Sequence, residues 1–369
     1  MMQRLAVFVF FDVNGIVSEY VCYLLECILV EVKELIVIVN GNICKESLEK
    51  LKKYSQKIFF RSNCGFDAGA YKDFFLSNIV SINFDDWDEI IIFNDTFYGP
   101  LFSWKEYFDF FENEKVDYWG LSSHPEGYYD INIEKHIQGY FLAIRKSLLS
   151  DEEFFEFWEK MEYPENYIQA VQWFEVGFSN FCRKNGYVGK SWTDVQLWKY
   201  NYNENPYLHN AYGLINEIRF PVVKKKLFNM YYYDEVKKVI IYIKNNTLYD
   251  IRLIEEDVKR MCAENRVKPF NFVKLQEFCI RYKYVYIFGT GIYANAVVHF
   301  LEDNNLKYKC YVVSDSKYKS GECILLEELK LNNNEGMIVA LGKKNFDEVY
   351  HKIKRYCKEE QLFIPDYLE

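Results

Sequence analysis

The stretch Glu89-Ile90-Ile91-Ile92-Phe93-Asn94-Asp95-Thr96-Phe97-Tyr98-Gly99-Pro100 joins an unbroken apolar run of strand length to a polar turn. A strand without polar alternation is buried on both faces, as in a parallel sheet packed between helices. Upstream, Leu5–Phe11, Glu34–Asn40 and Lys57–Arg61 read as further strands. Helical spacing over Val17–Val30 and Lys45–Gln56 separates them. Alternating β and α units imply right-handed crossovers and a doubly wound, mostly parallel sheet. In such sheets ligands bind at the carboxyl ends of the strands. That is where Asn94 and Asp95 fall.

The pattern then changes. From Phe102 to about Tyr212 helical and aromatic signals dominate, and Asn201–Asn205 reads as loop. Asp234–Lys244 and Leu253–Glu264 read as helices of a connector. Near Lys283 a new unit opens: strand Tyr284–Phe288, then Gly289-Thr290-Gly291-Ile292-Tyr293-Ala294 and a helix through Leu301. Strands Lys309–Val313 and Met337–Leu341 and helix Phe346–Cys357 complete a small βαβ unit. The expected division is 1–230, a connector over 231–280, and a Rossmann-like unit over 281–369.

Composition narrows the function. A formal net charge of -9 argues against a nucleic-acid footprint, which needs a basic face. The apolar run Val21–Val30 is interrupted by Glu26, far short of the ~20 residues of a membrane span. Leu5–Phe11 ends at Asp12 with no small-residue cleavage site, so it reads as a strand and not a signal peptide. Ten cysteines without metal-ligand spacing suit a reduced, cytoplasmic protein.

Five clusters carry candidate chemistry. In Asn63-Cys64-Gly65-Phe66-Asp67-Ala68-Gly69-Ala70-Tyr71-Lys72, two glycines permit tight turning and close approach of a ligand. Asp67 lies between them, and Lys72 follows on the next helix. In Asn94–Pro100, Asp95 is placed to ligate Mg²⁺ or Mn²⁺ on a diphosphate, or else to close a turn through local backbone bonds. His136-Ile137-Gln138-Gly139-Tyr140-Phe141 and Glu175-Val176-Gly177 follow. Glu175 is either a general base or a first-turn helix charge. In Pro221–Lys226 the lysines Lys224–Lys226 suit a diphosphate, anionic lipid headgroups or plain solvation.

Taken in order, and with Asp117-Tyr118-Trp119-Gly120-Leu121 between the second and third, these blocks resemble the rhamnan synthesis protein F family over roughly residues 1–230. The resemblance implies a glycosyltransferase of the single-sheet nucleotide-sugar (GT-A) type, acting in surface-polysaccharide synthesis. It implies a nucleotide-sugar donor such as dTDP-L-rhamnose, inverting transfer, and a lipid-linked or oligosaccharide acceptor. A peripheral contact with the inner face of the membrane follows from such an acceptor. Carried onto this sequence, the base is Glu175, with Asp67 second. Donor contacts are Asn63, Gly65, Phe66, Asp67, Gly69, Lys72, Asn94, Asp95, Lys224 and Lys226. Acceptor contacts are His136, Gln138, Tyr140 and Trp119, and the metal ligand is Asp95. The turn Asn94-Asp95-Thr96 departs from the usual Asp-x-Asp, because only Asp95 is acidic.

Two other classes compete. One is an NAD-dependent nucleotide-sugar oxidoreductase or epimerase built on Gly289–Ala294, with Tyr350 and Lys354 on one helix face. The pair falls too near the chain's end to leave residues for a substrate pocket, so no NAD is expected. The other is a non-catalytic scaffold of the polysaccharide machinery.

Overall fold

The computed structural model describes residues 2–124, 134–196, 205–228, 233–264, 272–282, 284–319, 321 and 323–365. The chain forms two compact units. One comprises 1–225 with 239–257; the other comprises 226–238 with 258–369. The helices Tyr233–Asn246 and Arg252–Ala263 are therefore each divided between units.

The first unit is built on a seven-stranded sheet. Its strands are β1 (Arg4–Phe10), β2 (Glu34–Asn40), β3 (Lys57–Arg61), β4 (Glu89–Asn94), β6 (Tyr118–Gly120), β9 (Phe141–Arg145) and β10 (Gly189–Ser191). The order is β10-β6-β9-β4-β1-β2-β3. β1, β2, β3 and β4 pair in parallel. β9 runs antiparallel to both β4 and β6. Every residue of β1 and β4 is buried, as apolar runs without alternation require. β3 lies at the edge and leaves Phe60 exposed.

The sequence reading gave the first four strands to within a residue. It missed β6, β9 and β10, placed in a stretch read as mainly helical. Strands of three to five residues show too little periodicity to stand out among aromatic helices. Two short strand pairs form separate two-stranded sheets. They are β5 (Phe97–Tyr98) with β11 (Val223–Lys224), and β7 (Ser123–His124) with β8 (His136–Ile137). The helix Phe66–Phe75 packs on the sheet through Ala68, Ala70, Tyr71, Phe74 and Phe75.

The second unit holds a five-stranded, wholly parallel sheet. Its strands are β12 (Tyr284–Phe288), β13 (Tyr308–Val313), β14 (Cys323–Leu325), β15 (Glu335–Val339) and β16 (Leu362–Phe363), in the order β14-β13-β12-β15-β16. Helices Ile292–Asp303 and Lys343–Tyr356 accompany it. Fold class is as expected: α/β, with a large mostly parallel sheet and a separate C-terminal parallel sheet.

The glycine loop after β3 shows why its sequence is restricted. A Cβ on Gly69 would stand 2.2 Å from the Cys64 carbonyl oxygen, in backbone that cannot yield cheaply. Gly69→Ala is expected to lower stability by about 1–3 kcal/mol, the range for overpacking a tight site. Urea unfolding checks this, and an unchanged midpoint would show the loop to be more pliant than its packing implies.

Candidate active site

Four strand ends meet at the carboxyl edge of the first sheet. Because β1 and β4 are neighbours while the chain order reverses there, this edge is the switch point where a crevice opens. The polar residues that follow the buried strands collect at it.

After β3, Arg61 ties the glycine loop down. Its Nε donates to Asp73 Oδ2 at 2.7 Å and its second guanidinium nitrogen to the Cys64 carbonyl at 2.7 Å. A further bond reaches Asn40 Oδ1 at the end of β2. Asn40 Nδ2 in turn donates to Asn63 Oδ1 at 2.8 Å and to the Phe66 carbonyl at 3.0 Å. Gly65, at φ +74°, turns the chain into the helix, and Phe66 stays 39% exposed. Asp67 then sits in the first turn of that helix, beside the end of β4.

The end of β4 is fixed by its own side chains. Asn94 Nδ2 donates to Asp67 Oδ2 at 2.6 Å. Asn94 Oδ1 accepts from Thr96 N at 3.1 Å and Thr96 Oγ1 at 2.7 Å. The Tyr20 hydroxyl reaches the Asp95 carbonyl at 3.0 Å and Oδ2 at 3.3 Å. Burial pushes Asp95 up from 3.8 to about 6; Lys225 opposes this, and Asp12 and Asp257 add to it.

The third side of the crevice comes from later motifs. Glu175 lies within a π-helical turn, Ala170–Val176, a distortion that often accompanies functional sites. Its Oε1 accepts from Gly139 N at 2.7 Å, and its Oε2 lies 3.4 Å from His136 Nε2. Burial works to raise Glu175. The His136 hydrogen bond and charge, the Gly139 N–H and Lys224 outweigh it, and the carboxyl is lowered. Asp67 goes the other way: burial and the nearby Glu175 charge raise it, against the bonds from Asn94 and Ala68. Two carboxyl groups are thus pushed apart, a common mark of groups with different chemical roles. Tyr140 is buried, its hydroxyl 2.8 Å from Ser122 Oγ, and Ser122 Oγ donates to Gln138 Oε1 at 2.7 Å. Lys224 stands with its ammonium 2.9 Å from the Tyr140 ring centre. Lys225 N donates to the Thr96 carbonyl at 3.1 Å, which stitches the lysine segment to the β4 turn.

The structure therefore brings Asp67, Asn94, Asp95, His136, Gln138, Tyr140, Glu175 and Lys224 to one edge. Several assigned residues do not fit their assigned contacts, and their roles are corrected. Lys72 turns away: its ammonium bonds the Glu159 carbonyl at 3.0 Å and the Met161 carbonyl, so helix-end carbonyls occupy it rather than a phosphate. Trp119 is fully buried, stacks on Phe111 at 4.3 Å and donates to Glu89 Oε2 at 2.8 Å. It is a core residue with no face for an acceptor. Gly69 serves loop packing, and Lys226 is exposed and falls in the second unit.

Sequence reasoning missed the buried layer beneath. The Asp257 carboxylate, fully buried, accepts from Ser18 Oγ at 2.6 Å and Tyr98 OH at 2.8 Å, and lies 3.4 Å from Lys225 Nζ. Lys225 Nζ also donates to Tyr20 OH at 2.8 Å. Asp257 sits on the helix Arg252–Ala263, in the stretch read as connector. Asp257 ends the acidic run Glu255-Glu256-Asp257, and its one distinguishing signal is its spacing of four residues from Leu253 and from Met261, which does not separate it from a surface charge.

An α/β unit with polar groups gathered at the switch point of its sheet has the form of a ligand-binding domain. The chain belongs to the rhamnan synthesis protein F family (RgpF), which it matches over residues 35–342. No curated protein matches the sequence. Among solved structures it is similar to the inositol-1-phosphate CTP transferase of T. maritima (13% identity, covering 52% of this chain and 85% of that one, TM-score 0.34). It is similar also to 4-diphosphocytidyl-2C-methyl-D-erythritol synthase of Anaerococcus prevotii (12%, 47% and 82%, TM-score 0.30). A third is the mannosyltransferase Ktr4p of S. cerevisiae (8%, 47% and 62%, TM-score 0.24). Family membership points to a transferase. Among the described residues no helix is long and apolar enough to cross a membrane.

The raised Asp95 makes a stability prediction with a definite sign. In the unfolded chain its carboxyl ionises near 3.8, in the fold near 6. Between those values the folded state holds the proton longer, so stability falls as pH rises and the full penalty stands above pH 6. Asp95→Asn removes the ionising group. It is expected to gain about 3 kcal/mol at pH 7.5 and almost nothing at pH 3, read from urea unfolding at both pH values. A variant equally stabilised at pH 3 would contradict the assignment.

Proposed function

We propose that the protein is an inverting glycosyltransferase that moves a sugar, rhamnose in the first instance, from a nucleoside-diphosphate donor to a growing cell-surface glycan. The observation that carries this reading is the convergence of motifs far apart in sequence. The Asn63–Asp67 segment, the Asn94–Pro100 turn, the His136–Phe141 segment, Glu175 and Lys224 are all linked around the end of β4.

Each residue has a task. The turn at Gly65 lets backbone approach the donor, and Asp67, held by Asn94, bonds a donor hydroxyl. Glu175 takes the proton of the acceptor hydroxyl. The acceptor oxygen then bonds the anomeric carbon as the bond from that carbon to the diphosphate breaks, and the leaving nucleotide keeps the electron pair. The Lys224 ammonium neutralises the charge that develops on it. Glu175 is ionised, as a base must be, and its side chain remains 18% exposed, within reach of an acceptor hydroxyl.

The residues do not fit a resident divalent cation. Asp95 supplies one carboxylate, faced by a phenol and by the field of Lys225. Asp12 is engaged in capping its loop through Asn14 N and Ile16 N, and Asp257 in the buried layer. Among the described residues no three His, Cys, Asp or Glu side chains group to hold a metal. The transfer is therefore written without one.

The test is donor turnover over dTDP-L-rhamnose and the common UDP-, GDP- and CDP-sugars. Glu175→Gln is expected to lose about 10²–10⁴-fold in kcat with donor affinity kept. A variant with undiminished kcat would remove Glu175 from the chemistry. Lys224→Met is expected to weaken dTDP or UDP binding about tenfold by calorimetry, the loss of one charge-assisted contact. EDTA should leave that binding unchanged; its abolition by EDTA would restore the metal.

A further inference from the structure

His136 was assigned to the acceptor from sequence, but its side chain is only 2% exposed, too little to meet a sugar. The ring is held on three sides. Nδ1 lies 2.9 Å from the Glu134 carbonyl oxygen, which can only accept a hydrogen bond, so Nδ1 carries a proton. Nε2 lies 3.4 Å from Glu175 Oε2. His124, its register partner across the β7–β8 pair, stacks on it with ring centres 5.4 Å apart and planes 6° from parallel. Both ring nitrogens thus face acceptors. The other Glu175 oxygen is taken by Gly139 N.

We propose that His136 is a positioning residue for Glu175: the buried ring, donating to the Glu134 carbonyl and to Glu175 Oε2, fixes that carboxylate as an anion and sets the acid limit of sugar transfer. The inference rests on the reading of Glu175 as base. With Gly139 N on one oxygen and His136 on the other, the carboxylate cannot rotate. The anion remains available for a third hydrogen bond, from the acceptor hydroxyl. A neutral residue of similar size at 136 would leave Glu175 buried with Asp67 as its charged neighbour and Lys224 as its remaining cation. The charged and titratable groups around the pair are these. Glu175 is faced by His136, Lys224, Asp67, Tyr140 and Tyr71. His136 is faced by Glu175 and His124, with Glu134 turned to Arg183 and Lys135 to Asp194. The lowered Glu175 agrees with this geometry, since the His136 hydrogen bond and charge head the influences that offset burial.

The test compares wild type, His136→Gln and Glu175→Gln in two measurements. The first is the pH profile of kcat/KM for dTDP-L-rhamnose turnover. His136→Gln should move the acid limb up by about one pH unit or more, with activity at pH 8.5 within tenfold of wild type. An unmoved acid limb overturns the proposal. Full turnover by Glu175→Gln would instead overturn the reading of Glu175 on which it rests. The second measurement needs no turnover and no histidine variant. In ¹⁵N-histidine-labelled protein, the His136 ring should show a proton on Nδ1 in both proteins and an Nε2 signal that moves when Glu175 Oε2 is lost in Glu175→Gln. A ring whose signals are the same in both proteins overturns the proposal, even if His136→Gln does not fold.

Discussion

Burial of β1 and β4 on both faces is the constraint from which the rest follows. Between their ends such strands carry only apolar side chains; Arg4 and Glu89 pair with each other where the strands begin, and other polar groups gather where the strands stop. There Asp12, Asn40, Asn94 and Asp95 crowd a small space partly withdrawn from water. Crowded carboxylates repel each other and lose hydration, and Asp95 and Asp67 are raised as a result. The arrangement persists because cations and donors are built in against it. Lys225 and Tyr20 serve Asp95, Asn94 serves Asp67, and His136 with Gly139 serves Glu175. A crevice in which charge is already balanced by fixed partners is pre-organised for a ligand that brings its own charge.

Two layers can be distinguished. The rim carries Asp67, Asn94, Glu175 and Lys224, which the family motifs identify. The layer beneath carries Tyr20, Tyr98, Lys225 and Asp257, which hold the turn Asn94–Thr96 in place. Removing one partner of a buried pair leaves the other unpaired at a cost of several kcal/mol. The helix that bears Asp257 is thus part of the first unit's polar support and not a passive link.

How much was legible in the sequence follows from the range of each signal. Unalternated runs such as Glu89–Phe93 announce buried strands within a window of a few residues. Glycine and asparagine turns announce their ends. The motif order also located the rim, because a turn at the end of a parallel strand points into the crevice whatever the rest of the chain does. Side-chain direction was not legible. Lys72 stands in a motif rich in ligand-binding residue types, yet one helical turn past Gly69 its ammonium meets the carbonyls at the end of Glu152–Lys160. Trp119 reads as an aromatic platform until its partner Glu89, 30 residues away, is seen to accept its N–H. His136 and Glu175 are 39 residues apart, and Asp257 is 32 beyond Lys225. Only the folded sheet brings such pairs together.

The most direct measurement of the central claim is hydrogen–deuterium exchange with and without dTDP or UDP. The account predicts slowed exchange at the Gly65–Gly69 loop, the Asn94–Tyr98 turn and the Val223–Lys225 segment together. Exchange unchanged at all three, or protection confined to the Gly289–Ala294 loop of the second unit, would contradict it.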